Sequence, residues 1–284
     1  MRSIRTGWER AWHGRARGRV APSRRAALER AQGLLEAGEF ERAEAEARAL
    51  AASPRTRGGD PGPVSWLARS LAAGAAAAHG RGAEVLPELE ALIAELEQTA
   101  GADRQLLLVL RSNRAAVLVQ QDRHTEAESE ARDILRGTTR IAHLAEVWRI
   151  ELHALTNLAA ALNGQGRHEE AEAVARGNLS RAQGPAAAFL HCALVGSLNG
   201  QSRYEEALAE ARRQTPAGGR TASGTLEIVT AGALHGLGRR DEAETTARQA
   251  LAACEQFLHP AHPRAEEART LLARVVAEDP PAAE

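Results

Sequence analysis

The chain is 284 residues long, 44% hydrophobic and 26% charged, with 36 basic against 37 acidic side chains and a formal net charge of −1. Such a chain has material for a folded core in one long domain or two short ones. A near-balanced charge argues against a protein basic throughout for nucleic acid, 3% aromatic residues leave few platforms for stacking bases, and no apolar run approaches the roughly 20 residues that cross a bilayer.

All the basic residues are arginine, and 62 residues are alanine. With so few large side chains, helices that meet through small residues are the ordinary way to pack. The first 25 residues stand apart, with eight arginines, one acid (Glu9) and the pair Trp8 and Trp12. Residues 1–23 are expected to be a disordered or capping basic arm; the alternative is an arm that finds an anionic partner. The arm has no apolar central stretch of a secretory signal, so the expected compartment is the cytoplasm.

From residue 24 to 276 one pattern returns: a turn, then Arg-x-x-Glu-Ala-Glu. In chain order it reads GEFERAE at 38–44, a degraded GRGAEVL at 80–86, DRHTEAE at 122–128, GRHEEAE at 166–172, SRYEEAL at 202–208 and GRRDEAE at 238–244. The central small residues are Ala43, Val85, Ala127, Ala171, Ala207 and Ala243, spaced by 42, 42, 44, 36 and 36. Twelve before them lie Ala31, Ala73, Ala115, Ala159, Val195 and Ala231; nine before, Leu34, Ala76, Leu118, Leu162, Leu198 and Leu234; four after, Ala47, Leu89, Ala131, Ala175, Ala211 and Ala247. These offsets are helical, so each copy predicts helix, turn, helix. Gly38, Gly80, Gly166 and Gly238 supply the left-handed residue that ends the first helix, and the following acids suit the start of the second. A single pair cannot bury its apolar face, so successive pairs must stack. Loops rich in proline and glycine interrupt the array at 53–64 and 214–223, and residues 277–284 form a frayed tail.

The small-x2-Leu pattern before the turn, Gly-Arg within it and Glu-Ala-Glu after it resemble the tetratricopeptide repeat. The 42 to 44 residue spacing and the HPAHPRAEEARTLLARV stretch at 259–275 resemble its longer kinesin-light-chain-like variant, common in bacterial proteins. The unit around Val85 departs from the pattern by lacking the Glu-Ala pair. The resemblance implies an all-α, right-handed superhelical solenoid of about six antiparallel helix pairs, with a capping helix near 261–276. It also implies a concave groove lined by first helices that receives a partner's segment or helix. On the face that this family uses stand Asn113 and Asn157, fourteen before their centres, with Ser112, Thr156, His153 and Gln120 nearby; Asn163 and Asn199, eight before theirs, sit lower in the same groove. An asparagine amide donates and accepts at once to a peptide backbone; the alternative is that these amides cap turns or bond neighbouring helices. Some relatives clamp a C-terminal carboxylate with basic side chains, but the matching positions here hold Ser112, Thr156 and Cys192.

No catalytic constellation emerges. His168-Glu169 opens an H-E-x-x-E sequence with Glu172 where a zinc protease needs its second histidine. His259 and His262 flank prolines near Cys254, where a helix start explains them better than a metal. Arg111, Arg114 and Arg149, on first helices, could bind acidic ligands, but an arginine on an amphipathic helix is more often a solvated face or an i,i+4 partner for glutamate. Neither cofactor nor metal is expected. The expected role is a non-enzymatic scaffold or adaptor for a protein or peptide; the alternative is a sensor module that binds a small molecule or signalling peptide and acts on a transcription factor or NTPase. Exposed repeat ends would also permit self-association.

Overall fold

A computed structural model describes residues 22–52, 62–99, 103–144, 147–213 and 222–277. The basic arm up to residue 21, most of both interrupting loops and the tail from 278 lie outside the described residues. Among the described residues there are thirteen α-helices and no strand. They are α1 (Pro22–Glu36), α2 (Phe40–Ala52), α3 (Gly62–Ala76), α4 (Gly82–Gln98), α5 (Arg104–Gln120), α6 (His124–Arg140), α7 (Val147–Gly164), α8 (His168–Leu179), α9 (Gly184–Gly200), α10 (Tyr204–Ala211), α11 (Thr225–Gly236), α12 (Arg240–Phe257) and α13 (Pro263–Ala277). Six pairs and a final helix follow, as the repeat requires.

The turn inside each pair is set by one backbone residue. Five before each centre, φ is positive in all six copies: Gly38 (74°), Gly80 (112°), Asp122 (57°), Gly166 (75°), Ser202 (58°) and Gly238 (71°). In five of the turns two crossed bonds then close the first helix; for example, Arg167 N–H donates to Leu162 O (2.9 Å) and Gly166 N–H to Asn163 O (3.0 Å). This satisfies the last carbonyls and reverses the chain in three residues. The second turn differs. A π-helical stretch, Ala77–Arg81, runs α3 into α4, so the copy that is degraded in sequence is also the one with irregular geometry.

Small residues meet where the repeat places them. Ala31, Ala73, Ala115, Ala159, Val195 and Ala231 are 0% exposed, as are Ala43, Ala127, Ala171, Ala207 and Ala243. The leucines nine before the centre fill the seam, with Leu118, Leu162 and Leu198 at 1% exposure or less. Burial of each such leucine is worth about 1.5–3 kcal/mol, and the alanines contribute chiefly by close approach of the helices.

The chain divides into two compact units, Met1–Val117 with Ser129–Ala154, and Leu118–Glu128 with Leu155–Glu284. In the first, one core gathers Leu108, Ala115, Ile134, Ile141, Val147, Ile150 and Ala154, and smaller ones gather Ala31 with Ala47 and Ala72, and Leu50 with Val64 and Ala68. In the second, α9 is apolar on nearly all sides and buries Leu190, Leu194, Val195 and Leu198, which fits a helix with repeats before and after it.

Candidate functional site

In the second unit, successive repeats are joined by three recurrent contacts that leave the first helices side by side. The first is a ring in a slot. The side chain three before each centre packs where the next first helix carries glycine, His124 at Gly164, His168 at Gly200 and Tyr204 at Gly236; a Cβ at any of these glycines would collide with the ring. The second is ionic. Glu128 accepts from Arg167 Nη1 (2.7 Å) and Gln165 Nε2 (2.8 Å) of the following repeat, and Glu172 accepts from Arg203 Nη1 (2.7 Å) and Gln201 Nε2 (2.8 Å). The same arginines fork onto Glu170 and Glu206 of their own turn. The Glu-Ala-Glu motif thus has two tasks: its first acid holds the turn's arginine, its second ties in the next repeat. Leu208 replaces that second acid in the fifth copy, so the joint to the sixth lacks the ion pair.

The third contact is an amide bond between first helices. Asn163 Nδ2 donates to Ala193 O (2.8 Å) and Asn199 Nδ2 to Val229 O (2.7 Å), thirty residues on in both cases. The amides pass over Gly196 and Gly232, where a Cβ would lie at ordinary contact distance, 3.6 and 3.4 Å, from the respective Nδ2. Of the two readings of these asparagines, the structure places their donors on the neighbouring helix. Asn163 Oδ1 also lies 3.3 Å from His168 Nδ1, whereas the buried Asn199 Oδ1 has no hydrogen-bond partner among the described residues.

The other expected groove residues are distributed along α5 and α7. Asn113 is half-buried in the first unit, with Nδ2 beside Gly74, and Ser112 is buried at 7% exposure. His153 meets solvent, yet the protein around it is the largest influence on its imidazole and, with Arg149, pushes the pKa down. Gln120, Thr156 and Asn157 are half-buried in the second unit, the last two engaged with neighbouring groups. Arg111 and Arg114 both bond Glu130, at 2.6 and 3.1 Å, and Arg114 also bonds Glu90 at 3.1 Å. These ion pairs run between helices, not to a glutamate one turn along the same helix.

The histidines near the last helix cap turns. His262 Nδ1 accepts from Arg264 N–H (3.0 Å) immediately before α13, and His259 Nδ1 accepts from Ala261 N–H (3.2 Å). Pro263 opens the helix, as the H-P-x-H-P pattern suggested. Among the described residues no group of three or more His, Cys, Asp or Glu could hold a metal ion, and no described helix is long and apolar enough to cross a membrane.

One arrangement escaped the sequence. Arg264, in the first turn of α13, stacks its guanidinium 5.5 Å from the centroid of Phe189 on α9 and donates from Nη1 to Ser223 O (3.2 Å), just before α11. The contact therefore joins α13 and α9 across the start of the intervening first helix. Gly224 makes this path possible: φ is 77°, and a Cβ would meet Cys254 Sγ at 2.5 Å and Ala250 O at 2.8 Å. Burial is the largest influence on Arg264 and pushes its pKa down; Cys192 and Cys254 are pushed up by burial, Cys192 to about 12. Phe189 stands eighteen before its centre, a position that the repeat pattern does not mark.

No protein-family model matches the sequence, and no curated protein matches it. Among solved structures, the chain is similar to a Rap protein complexed with competence and sporulation factor, with TM-score 0.65 and 14% identity over 90% of this chain and 71% of that chain. A tetratricopeptide repeat protein from Parabacteroides merdae ATCC 43184 aligns at TM-score 0.44 and 12% identity, over 90% of this chain and 100% of that chain, a likeness too slight to argue from. The first comparison concerns fold alone. Together with the six turns and their small-residue register, it defines an all-α, tetratricopeptide-like helical repeat.

Proposed function

We propose that this chain is a non-enzymatic interaction module whose first-helix faces receive a peptide segment or helix of a partner protein, and that it belongs with the longer-repeat tetratricopeptide proteins. The observation that carries the reading is the division of labour between helices. Second helices spend their rings and acids on joining repeats, while α7, a first helix, keeps Thr156 and Asn157 half-buried in the second unit. An array held this way offers a preformed surface, which lowers the ordering cost of binding. Asn157 is the proposed contact on the second unit, and Asn113 is a separate candidate on the first. Affinity capture with mass spectrometry, using the wild-type chain and Asn113→Ala and Asn157→Ala singly, tests it. Partners lost with either variant support a first-helix site; identical partner sets for all three proteins remove both asparagines from it.

One observation favours a second reading, a sensor module that binds a small molecule or signalling peptide and acts on a transcription factor or NTPase: the Rap protein of similar fold was solved in complex with competence and sporulation factor. A thermal shift with candidate ligands separates the readings, because a ligand that binds only the folded chain raises its midpoint in proportion to RT ln(1 + [L]/Kd).

A further inference from the structure

In two repeats a side chain sixteen before the centre, on the first helix, bonds the residue three after it, on the second. In the third repeat Glu130 on α6 accepts from Arg111 Nε (2.6 Å), and also from Arg114 Nη1 (3.1 Å), thirteen before the centre on α5. In the fifth, His191 Nε2 meets Glu210 O at 2.9 Å. The same three places in the first repeat hold Ala27 and Arg30 on α1 and Glu46 on α2. Arg30 Nε forms an ion pair with Glu46 Oε2 at 3.5 Å, but Ala27 offers no donor. A cleft of about 260 Å³ is left, lined by Ala27, Arg30, Glu46, Ala49 and Leu50. Glu46 Oε2, closed off from solvent, has no hydrogen-bond partner among the described residues, although the side chain as a whole is 38% exposed.

The cleft lies on the side from which a preceding helix arrives elsewhere in the array. Arg114, the counterpart of Arg30, also bonds Glu90 of α4, the second helix of the repeat before it, at 3.1 Å. No described repeat precedes α1. The basic arm precedes it, with six arginines against Glu9 in residues 1–21. Arg15, Arg17 and Arg19 stand three to seven residues before Pro22, where α1 begins. Ala27 is five residues further on, about 7.5 Å along the helix axis, and seven extended residues reach roughly 20 Å. The arm is therefore long enough to turn back along α1 and set a guanidinium beside Glu46. Such a planar fork matches a carboxylate that lacks a donor, and its aliphatic stem suits walls made by Ala27, Ala49 and Leu50. The loop after α2 also carries arginines, Arg55 and Arg57, but it leads on to α3.

We propose that this cleft is a guanidinium site filled by the chain's own arm, through one of Arg15, Arg17 and Arg19, so that the arm closes the open end of the array where a preceding helix would otherwise lie. The test is hydrogen exchange read by mass spectrometry on the full chain, at the amides of α1 and α2. The near triple, Arg15→Gln/Arg17→Gln/Arg19→Gln, should speed their exchange about three- to fivefold, the scale of one partly exposed charge pair. The far triple, Arg2→Gln/Arg5→Gln/Arg10→Gln, removes the same charge and should leave exchange unchanged. Ala27→Arg supplies from α1 the side chain that α5 has in Arg111, and in that background the near triple should have no effect. Glu46→Gln should erase its effect in the same way. Unchanged exchange in the near triple overturns the proposal, as does an acceleration that persists with Glu46→Gln or that the far triple matches. An acceleration from Arg55→Gln/Arg57→Gln in place of the near triple gives the cleft to the loop after α2 and also overturns it. The measurements are made at high and low chain concentration: protection lost on dilution assigns the arm to a second copy and contradicts a site filled within one chain. Circular dichroism checks folding, and if Glu46→Gln loses helix, Ala27→Arg carries the comparison.

Discussion

Replacing Gly200 by alanine tests the joint between the fourth and fifth repeats. Gly200 ends α9, and a Cβ there would overlap the His168 ring, which also lies 3.3 Å from Asn163 Oδ1. Forcing extra volume into a packed contact costs about 1–3 kcal/mol, and removing glycine from a helix returns at most about 0.5–1 kcal/mol, less at a terminal residue. The net expectation is a loss of up to about 2.5 kcal/mol, the contact cost minus the propensity gain. Gly177, in α8, where an added Cβ would meet nothing within 4 Å, is the control: Gly177→Ala should stabilise by up to about 1 kcal/mol. With His168→Ala already present, Gly200→Ala should become neutral or stabilising, so a double-mutant cycle should give a coupling of about 1–3 kcal/mol. Urea unfolding followed at 222 nm, with hydrogen exchange on α8 and α9 because repeat arrays need not unfold in one step, reads both quantities. If Gly200→Ala is as stable as Gly177→Ala while His168 is intact, the ring does not occupy the slot and does not join the repeats.

Gly224→Ala should cost about 2–4 kcal/mol, the left-handed backbone of a non-glycine residue added to a collision with Ala250 O and Cys254 Sγ; a thermal midpoint within a degree of wild type would contradict this. Asn199→Ala should lose about 0.5–1.5 kcal/mol through the missing bond to Val229 O, visible as faster amide exchange in α11 than in α7. For Glu172, burial acts to raise the pKa, but bonds from Gln201 and Arg176 and the charges of Arg203 and Arg176 outweigh it and hold the carboxyl below its ordinary 4.5. Its contribution to stability is therefore complete above pH 4.5 and is lost as pH falls through the lower folded value. The stability gap between wild type and Glu172→Gln should accordingly narrow on acidification below pH 4.5, and a gap that widens refutes the sign. Cys192 and Cys254 are both buried, with pKa values pushed up by that burial, so a thiol reagent at pH 8 should titrate them only as the chain unfolds.

The helical repeat was legible because its requirements are local and recur. A small side chain at the centre, another twelve before it and a left-handed residue five before it each leave a mark in one stretch of sequence. Even so, Asp122 and Ser202 adopt the same positive φ as the glycines without their composition, because the crossed bonds to Leu118 and Leu198 impose the turn. Less was legible in the candidate site, whose contacts join residues of different repeats. Asn163 and Asn199 look alike in sequence whether they face a ligand or bond the next helix, and only the position of Ala193 O and Val229 O decides where their donors go. His168 was recognisable as a repeat-turn residue; its role as a plug depends on Gly200, 32 residues away. The Arg264–Phe189 contact spans two repeats and a loop, and no periodicity encodes it.

The most direct test of the central claim, that first helices carry the binding face, is site-specific photo-crosslinking of partners captured from a lysate. A photoreactive residue at Thr156 or Thr225, on first helices, is compared with one at the exposed Ala173 of α8. Adducts are expected from the first-helix sites and none from Ala173. Adducts from Ala173 alone would place the partner on the second helices and contradict the claim.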